Sequence, residues 1–147
     1  MTGLSDKLIS GWQVNVIGDI QSGTPTSYPS ANLIKPTAKL PDGQQTFDRW
    51  FDTAAFEVIP PNDFRTLNQR FSDVRNPWRP QWALSVFKNT LIHERYNLQF
   101  RGEAFNVLNT PIYDAPNTTL NSNLFGIVTR NQINFPRQIQ VGARLTF

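Results

Sequence analysis

Four segments of the chain alternate apolar and polar residues with period two, which predicts β-strands with two different faces. They cover about 11–21, 81–89, 95–105 and 138–147. The contrast between the faces is weakest in the second segment, where Ala83 and Phe87 blur it. Leu67, Phe71 and Val74 follow the i, i+4, i+7 spacing of a helix, which predicts one short helix within a loop.

The intervals between these strands are very unequal in length. A short turn at about 90–94 separates the second and third strands, whereas the long intervals 22–80 and 106–137 separate the others. The long intervals are rich in Pro, Asn, Ser, Thr and Asp, which are typical of loops. Loops of this length are unusual in compact soluble domains, but outer-membrane barrels combine short periplasmic turns with long extracellular loops.

Aromatic residues end the apolar faces of the predicted strands, with Trp12, Tyr96 and Phe147 at one end and Trp82 and Phe105 at the other. This distribution is typical of the aromatic girdles at membrane interfaces. The predicted girdle residues are Trp12, Trp82, Tyr96 and Phe147. The opposite face suits a water-filled or plugged lumen, and its predicted residues are Arg95, Asn97, Gln99, Arg101, Glu103 and Arg144.

These features predict an all-β, antiparallel transmembrane β-barrel segment in the cell outer membrane, with two long extracellular loops. The last strand ends in Phe147, and apolar residues precede it at every second position. It resembles the C-terminal signal recognised by the barrel assembly machinery, and the predicted signal residues are Ile139, Val141, Ala143, Leu145 and Phe147. The main alternative is a secreted β-sandwich binding module, for carbohydrate or for surface adhesion, which would bury the same apolar faces in its core.

Composition excludes several kinds of chemistry. The chain has no cysteine and one histidine, which excludes a disulfide framework, a thiolate zinc site, a cysteine nucleophile and a His-rich metal cluster. Its 14 Lys and Arg residues are scattered without a run of three, so no nucleic-acid partner is predicted. The first long loop contains six acidic residues but no spaced calcium-binding cassette, and they are Asp42, Asp48, Asp52, Glu57, Asp63 and Asp73.

His93 and Glu94 form a candidate acid–base pair in the predicted short turn. No nucleophile motif accompanies them, so a solvated turn is the expected role, and a surface hydrolase is the less favoured alternative. The sequence therefore predicts neither an enzyme nor a bound cofactor or metal. Trp50, Phe51, Phe56 and Phe64 are the candidate ligand contacts in the first long loop, because aromatic side chains supply large contact area at low entropic cost. The alternative is that they pack the loop on itself.

Several longer motifs resemble the TonB-dependent outer-membrane receptors, in particular the Oar-like group whose full-length members begin with a carboxypeptidase-regulatory-like domain. The resemblance covers about 11–147, and its motifs are QSGTP at 21–25, WFDTAAF at 50–56, LSVFKN at 84–89, QFRGEAFNVLNTP at 99–111, FGI at 125–127 and PRQIQVGARLTF at 136–147. The chain departs from the family at 74–78, where VRNPW stands in place of a glycine-rich turn.

The resemblance implies a barrel of 22 strands with an N-terminal plug, of which residues 1–147 would be a C-terminal part without the plug domain. By the same resemblance, the complete receptor would bind or import a large solute. Its implied partners are outer-membrane lipid, the barrel assembly machinery, the remaining strands and plug, and a TonB-type energy coupler that acts through the missing N-terminal region. Four strands alone would leave unpaired edge groups in hydrocarbon, where each costs several kcal/mol.

Overall fold

The computed structural model of the chain is all-β and describes residues 8–28, 31–65, 67–68, 70–92 and 95–147. Its strands are β1 (Trp12–Gln21), β2 (Pro25–Ser27), β3 (Asn32–Leu33), β4 (Phe56–Glu57), β5 (Arg70–Arg75), β6 (Arg79–Ile92), β7 (Tyr96–Phe105) and β8 (Gln138–Thr146), with a short 3₁₀ helix at Thr53–Ala55. In the described ranges, no helix is long and apolar enough to cross a membrane.

The chain divides into two compact units. Unit 1 comprises Met1–Ile20, Pro80–Thr110 and Phe135–Phe147, and unit 2 comprises Gln21–Arg79 and Pro111–Asn134. The two segments of unit 2 are the two long connections of the predicted barrel segment. One links β1 to β6 and the other links β7 to β8.

Unit 1 is a four-stranded sheet with the order β1-β6-β7-β8. Strand β6 pairs with β7 from Ala83–Phe105 to Ile92–Tyr96, and β7 pairs with β8 from Asn97–Thr146 to Phe105–Gln138, in an antiparallel register without a bulge. All four predicted strands are confirmed. The second is longer than predicted, because its pairing with β7 continues to Ile92.

The pairing separates an apolar from a polar sheet face. Residues that lie directly opposite each other on paired strands project to the same face. Leu98 lies opposite Leu145 and Phe100 lies opposite Ala143, whereas Gln99, between them, lies opposite Arg144. The alternation of apolar and polar residues therefore produces the same two faces on both neighbouring strands, because the register between them does not slip.

Strand β6 interrupts this separation. Lys88 lies opposite Phe100 on the apolar face. Its stem is buried, its ammonium group donates a hydrogen bond to the carbonyl of Ser10, and that group lies 5.4 Å from the ring centroid of Trp12. A long lysine stem can pack on an apolar surface while its charged end reaches a polar partner.

Phe105 is also placed differently from the prediction, which put it at the aromatic tip of the apolar face with Trp82. It lies opposite Ala83 and Gln138, on the face of Glu103. The prediction was wrong because Phe105 lies an odd number of residues from the apolar positions of β7, and side-chain direction in a strand follows this parity.

Unit 2 contains two small antiparallel pairs, β2 with β5 and β3 with β4. The short helix predicted from Leu67, Phe71 and Val74 is wrong, because residues 70–75 form strand β5. Strand β5 pairs with β2 from Ser27–Arg70 to Pro25–Arg75, with an irregularity between Pro25 and Thr26. Backbone pairing with a distant segment outweighs three apolar residues at helical spacing, which alone are too few to stabilise a helix.

The core of unit 2 is built mainly from aromatic rings. Phe51 is fully buried and contacts Tyr28, Phe56 and Phe125 at centroid distances of 5.3, 5.5 and 5.3 Å. These three contacts are edge-to-face, an arrangement that aromatic pairs favour over a face-to-face sandwich. The loops therefore form a packed unit with its own core.

Candidate functional site

The polar face of the unit 1 sheet carries a connected set of side chains. The Arg101 guanidinium lies 2.8 Å from the Glu103 carboxylate, and the Gln140 amide donates a hydrogen bond to the same carboxylate. On the same face, the Gln99 amide of β7 donates a hydrogen bond to Asn89 Oδ1 of β6 at 2.9 Å. A cavity of about 260 Å³ on this face has a lining that includes Gln99, Arg101, Glu103, Gln140, Gly142 and Arg144. The face is therefore polar, and its Glu103 carboxylate is already paired with Arg101 and Gln140.

The structure brings most of the predicted luminal residues together. The strand register places Asn97, Gln99, Arg101, Glu103 and Arg144 on one face. Arg95 is exposed in the turn before β7 rather than within a strand. The candidate pair His93 and Glu94 lies outside the described residues.

Two asparagines tie the end of β7 to the start of β8. Asn106 and Asn109 have positive φ angles of 49° and 52°, a conformation that asparagine tolerates better than most residues. The Asn106 amide donates to the carbonyl groups of Thr110 and Phe135 at 3.2 and 3.1 Å, and its Oδ1 accepts from the Thr110 N–H. Asn109 Oδ1 accepts from the Arg137 N–H at 3.0 Å. The FNVLNTP motif thus has a structural role.

Unit 2 has a second cavity, of about 230 Å³, built around two tryptophans. Its lining residues are Lys39, Leu40, Gln45, Trp50, Asp73, Val74, Arg75, Asn76 and Trp78. Trp50 is held in place on two sides. Its Nε1 donates to the carbonyl of Arg75 at 2.7 Å, and its ring stacks on Phe47 with centroids 5.8 Å apart. Trp78 is largely exposed.

Hydrogen bonds fix the cavity wall around Asn76. The Asn76 amide donates to Thr24 Oγ1 at 2.9 Å, and its Oδ1 accepts from Thr26 Oγ1 at 3.1 Å. Gly23 approaches this wall so closely that an added Cβ would lie 1.7 Å from the Asn76 carbonyl oxygen. The Arg75 guanidinium donates to the Gly23 carbonyl at 3.0 Å. The wall is therefore rigid on the side of 23–26.

Asp73 is the unusual polar group of this cavity. Its Oδ2 accepts a hydrogen bond from the Thr37 hydroxyl, which in turn accepts from the Lys39 N–H at 2.9 Å. Its Oδ1 is buried and has no hydrogen-bond donor among the residues that the structure describes. Burial, together with the charge of Asp73, raises the pKa of Tyr28 above its ordinary value. A buried acceptor without a donor is costly, and this oxygen is enclosed by protein rather than open to the cavity.

Two ion pairs order other parts of unit 2. The Lys35 ammonium lies 2.5 Å from Asp52, and this hydrogen bond is the main cause that lowers the pKa of Asp52. Arg130 forms a bidentate pair with Asp48 at 3.1 Å, which lowers the pKa of Asp48. Across the described ranges, no three acidic or histidine side chains come together in a group that could hold a metal ion.

The four candidate ligand contacts of the first long loop have different surroundings. Phe51 and Phe56 are buried in the core of unit 2, which favours the alternative that they pack the loop on itself. Aromatic rings flanking Ala54 and Ala55 supply the apolar area that lets a long loop fold on itself. Trp50 lines the unit 2 cavity, and Phe64 is 87% exposed.

The predicted girdle and C-terminal residues lie where the strand pattern places them. The pairing of Asn97 with Thr146 puts Tyr96 and Phe147 at the same end of the sheet, whereas Trp82 lies toward the other end, against Gly18. Ile139, Val141, Ala143 and Leu145 share the apolar face and are exposed.

Comparison with known proteins identifies the family. A family model described as an outer membrane beta barrel domain matches residues 2–140. The chain belongs to this family. No curated protein and no solved structure matches the chain. As a member of the outer membrane beta barrel domain family, the protein is located in the cell outer membrane. Its fold class is therefore confirmed, and the secreted β-sandwich is excluded.

Sequence reasoning missed Asp73 and Trp78 as members of one site in this outer-membrane barrel domain. In the sequence, Asp73 is one of several loop acids, and Trp78 belongs to the segment that departs from the receptor family. The sequence offers one signal for Trp78, which is that it follows Pro77 outside the four predicted strands. The meeting of Trp78 with Lys39 and Gln45 depends on contacts that no local pattern predicts.

Proposed function

We propose that the chain supplies wall strands and extracellular loops of a TonB-dependent receptor that binds or imports a large solute. The observation that carries this proposal is a sheet with one apolar and one polar face whose outer strands β1 and β8 are exposed along their whole length. Backbone edges in hydrocarbon must be paired, so further strands are required on both sides.

In the proposed receptor, the turn between β6 and β7 is periplasmic and both long connections are extracellular. The unequal lengths of these connections support the proposal, because barrels of this type have short periplasmic turns and long external loops. The polar face with Arg101, Glu103 and Arg144 would line the lumen and hold the plug. Barrels of 22 strands have a lumen that a plug fills.

The proposed partners are outer-membrane lipid, the remaining strands and plug, the barrel assembly machinery and the energy coupler. The exposed C-terminal residue Phe147 and the alternate apolar residues before it would form the signal read by the assembly machinery. The proposed role is not enzymatic and involves neither nucleic acid nor a cofactor.

The proposal is tested by photo-crosslinking in a Gram-negative cell that expresses the protein. A photoreactive amino acid at Gln99 should capture a folded plug, in the same or another polypeptide, and one at Val141 should capture lipid or a neighbouring strand. Loss of energy coupling should change the Gln99 crosslinks and leave those at Val141 unchanged. An open lumen, with no protein captured at Gln99 and no response to the coupler, would argue for a passive barrel.

A further inference from the structure

The two long connections of unit 2 are joined to each other by backbone hydrogen bonds. The backbone N–H of Trp50, in the first connection, donates to the Gly126 carbonyl of the second at 2.7 Å. In the opposite direction, the Val128 N–H donates to the Phe47 carbonyl at 2.8 Å. Residues 125–130, here called the clasp, are therefore bonded to the first connection through the main chain.

Apolar side chains of the clasp are buried with those of the first connection. Val128 is fully buried. The ring of Phe125 packs edge-to-face on the rings of Phe51 and Phe56, with centroid distances of 5.3 and 5.7 Å. The aromatic core of unit 2 therefore contains atoms from both connections. Neither connection can leave the other without exposing apolar surface to water, which is unfavourable.

A polar contact lies at the exposed end of the clasp. Arg130 makes its two hydrogen bonds of 3.1 Å to Asp48 of the first connection, and its guanidinium lies 5.5 Å from the ring centroid of Phe47. Phe47 also packs edge-to-face on Tyr113 of the second connection at 5.0 Å. An exposed ion pair contributes little free energy, but the bidentate geometry fixes the orientation of its partners. This end therefore specifies how the two connections meet.

The second connection also closes on itself beside the clasp. The Gly126 N–H donates to the Asn117 carbonyl at 2.8 Å, and the Asn117 N–H donates to the Ile127 carbonyl at 2.9 Å. Nearer the sheet strands in sequence, Tyr113 forms a β-bridge with Gln132. Compact surface loops have such closed necks. The clasp therefore belongs to a folded loop, whose displacement would move all of its contacts together.

We propose that the clasp makes the two long connections one cooperative body, which opens and closes as a whole rather than by separation of the connections. Separation would break the backbone bonds of Trp50 and Val128 and the Asp48–Arg130 pair, and it would expose Phe51. Segments that share a core in this way open together in native proteins. The inference goes beyond the proposed receptor, because it depends only on contacts within unit 2 and on no solute or energy coupler.

Hydrogen exchange of the full 147-residue chain in detergent micelles tests this coupling. The reporters are the N–H groups of Ile34 and Asp52, whose acceptors, the carbonyl groups of Ala55 and Ala38, also lie in the first connection. Val128→Ala changes only the second connection. It should nevertheless raise the exchange rates of both reporters about tenfold, because it removes buried contacts from the shared body.

Leu124→Ala is the matched control, because Leu124 precedes the clasp directly and is 45% exposed. The reporter rates in this variant should stay within about twofold of those in the unsubstituted chain. Near-ultraviolet circular dichroism checks that unit 2 is folded in both variants. In Val128→Ala, faster exchange at Asn117 and Gly126 with unchanged reporter rates would overturn the inference, because the second connection would then open by itself.

A second measurement leaves the core unsubstituted. Because the chain has no native cysteine, spin labels on Gln44→Cys and Leu124→Cys report a distance between the connections, and labels on Gln44→Cys and Val58→Cys report one within the first. All three positions are exposed. In lipid bilayers with excess unlabelled chain, both pairs should give a single distance distribution of similar width. A second distance for the pair between the connections alone would overturn the inference, whereas a barrel without plug or coupler would refute only the proposed receptor.

Discussion

Trp82 of β6 lies directly over Gly18 of β1, so closely that a Cβ on Gly18 would be 2.5 Å from Cζ3 of the indole. The indole ring of Trp82 therefore occupies the space that a side chain at position 18 would need. An aromatic ring that covers a glycine on a neighbouring strand also pins the register of the pair. This contact connects the edge strand β1 to the rest of the sheet.

The first prediction follows from that contact. Gly18→Ala should destabilise the chain by about 1–3 kcal/mol, because the added methyl group displaces the indole of Trp82. Urea unfolding in micelles, followed by tryptophan fluorescence, measures the loss. Gly142→Ala is the matched control, since a Cβ there meets no atom within 4 Å. Equal stability losses in the two variants would contradict the close packing at Gly18.

The second prediction concerns the asparagine that joins β7 to β8. Asn106→Ala should cost about 1–3 kcal/mol in the same unfolding measurement, because it removes a side chain that satisfies backbone groups and leaves alanine at positive φ. Asn106→Gly relieves the backbone strain but not the lost hydrogen bonds, so its stability should lie between that of Asn106→Ala and the unsubstituted chain. If Asn106→Gly restored full stability, the hydrogen bonds to Thr110 and Phe135 would contribute nothing.

The third prediction separates the two kinds of phenylalanine in the first long loop. Phe51→Ala should destabilise unit 2 by about 3–5 kcal/mol, because it leaves a cavity among Tyr28, Phe56 and Phe125. Phe64→Ala should change stability by less than about 0.5 kcal/mol, since its side chain is exposed. Hydrogen exchange of the unit 2 amide groups reports both effects, and comparable exchange in the two variants would refute the aromatic core.

The fourth prediction is a pH dependence at Asp52. The pKa of Asp52 is lowered in the folded chain, mainly by its hydrogen bond from Lys35, so the pair adds stability above the unfolded value of about 4. That contribution is lost as the pH falls through the lowered pKa of the folded state. Asp52→Asn cannot titrate there, and it retains a side chain suited to cap the turn at Thr53–Ala55.

Unfolding free energies measured between pH 2 and 7 check this expectation. The unsubstituted chain should lose more stability than Asp52→Asn on going below about pH 4. Asp42→Asn is the control, because the Asp42 carboxylate is 97% exposed and pairs at 3.4 Å. Its profile should follow that of the unsubstituted chain. Coincident profiles for all three proteins would exclude a role for the Lys35 pair.

The fifth prediction assigns the sheet faces to lipid and water. Because the chain has no native cysteine, Val141→Cys and Gln140→Cys can each carry a single polarity-sensitive fluorophore. In lipid bilayers, brominated lipid should quench the label at Val141 strongly, whereas aqueous iodide should quench the label at Gln140. The two positions are adjacent in β8 and lie at similar depth, so they control for each other. Aqueous quenching at both would contradict an outward apolar face.

The four strands were predictable because one face of each is apolar and the other polar, and strand side chains alternate with a fixed period of two. The register of β7 with β8 then follows the same pattern, since a slip by one residue would exchange the faces. The alternation predicts the faces of β6 less well, because Lys88 stands on the apolar face. Its partners are Ser10, just before β1, and Trp12, the first residue of β1, and both are far from Lys88 in sequence.

The sequence by itself determined the strands, their two faces and the outer-membrane barrel class, because these follow from the period of side chains along the chain. Only the tertiary structure decided that residues 70–75 form a strand, that Phe51 is core and Phe64 surface, and that Asp73 and Trp78 line one cavity. These outcomes depend on contacts between segments far apart in sequence. Local propensity is too weak to determine them, because burial and backbone pairing with distant segments supply the larger free energies.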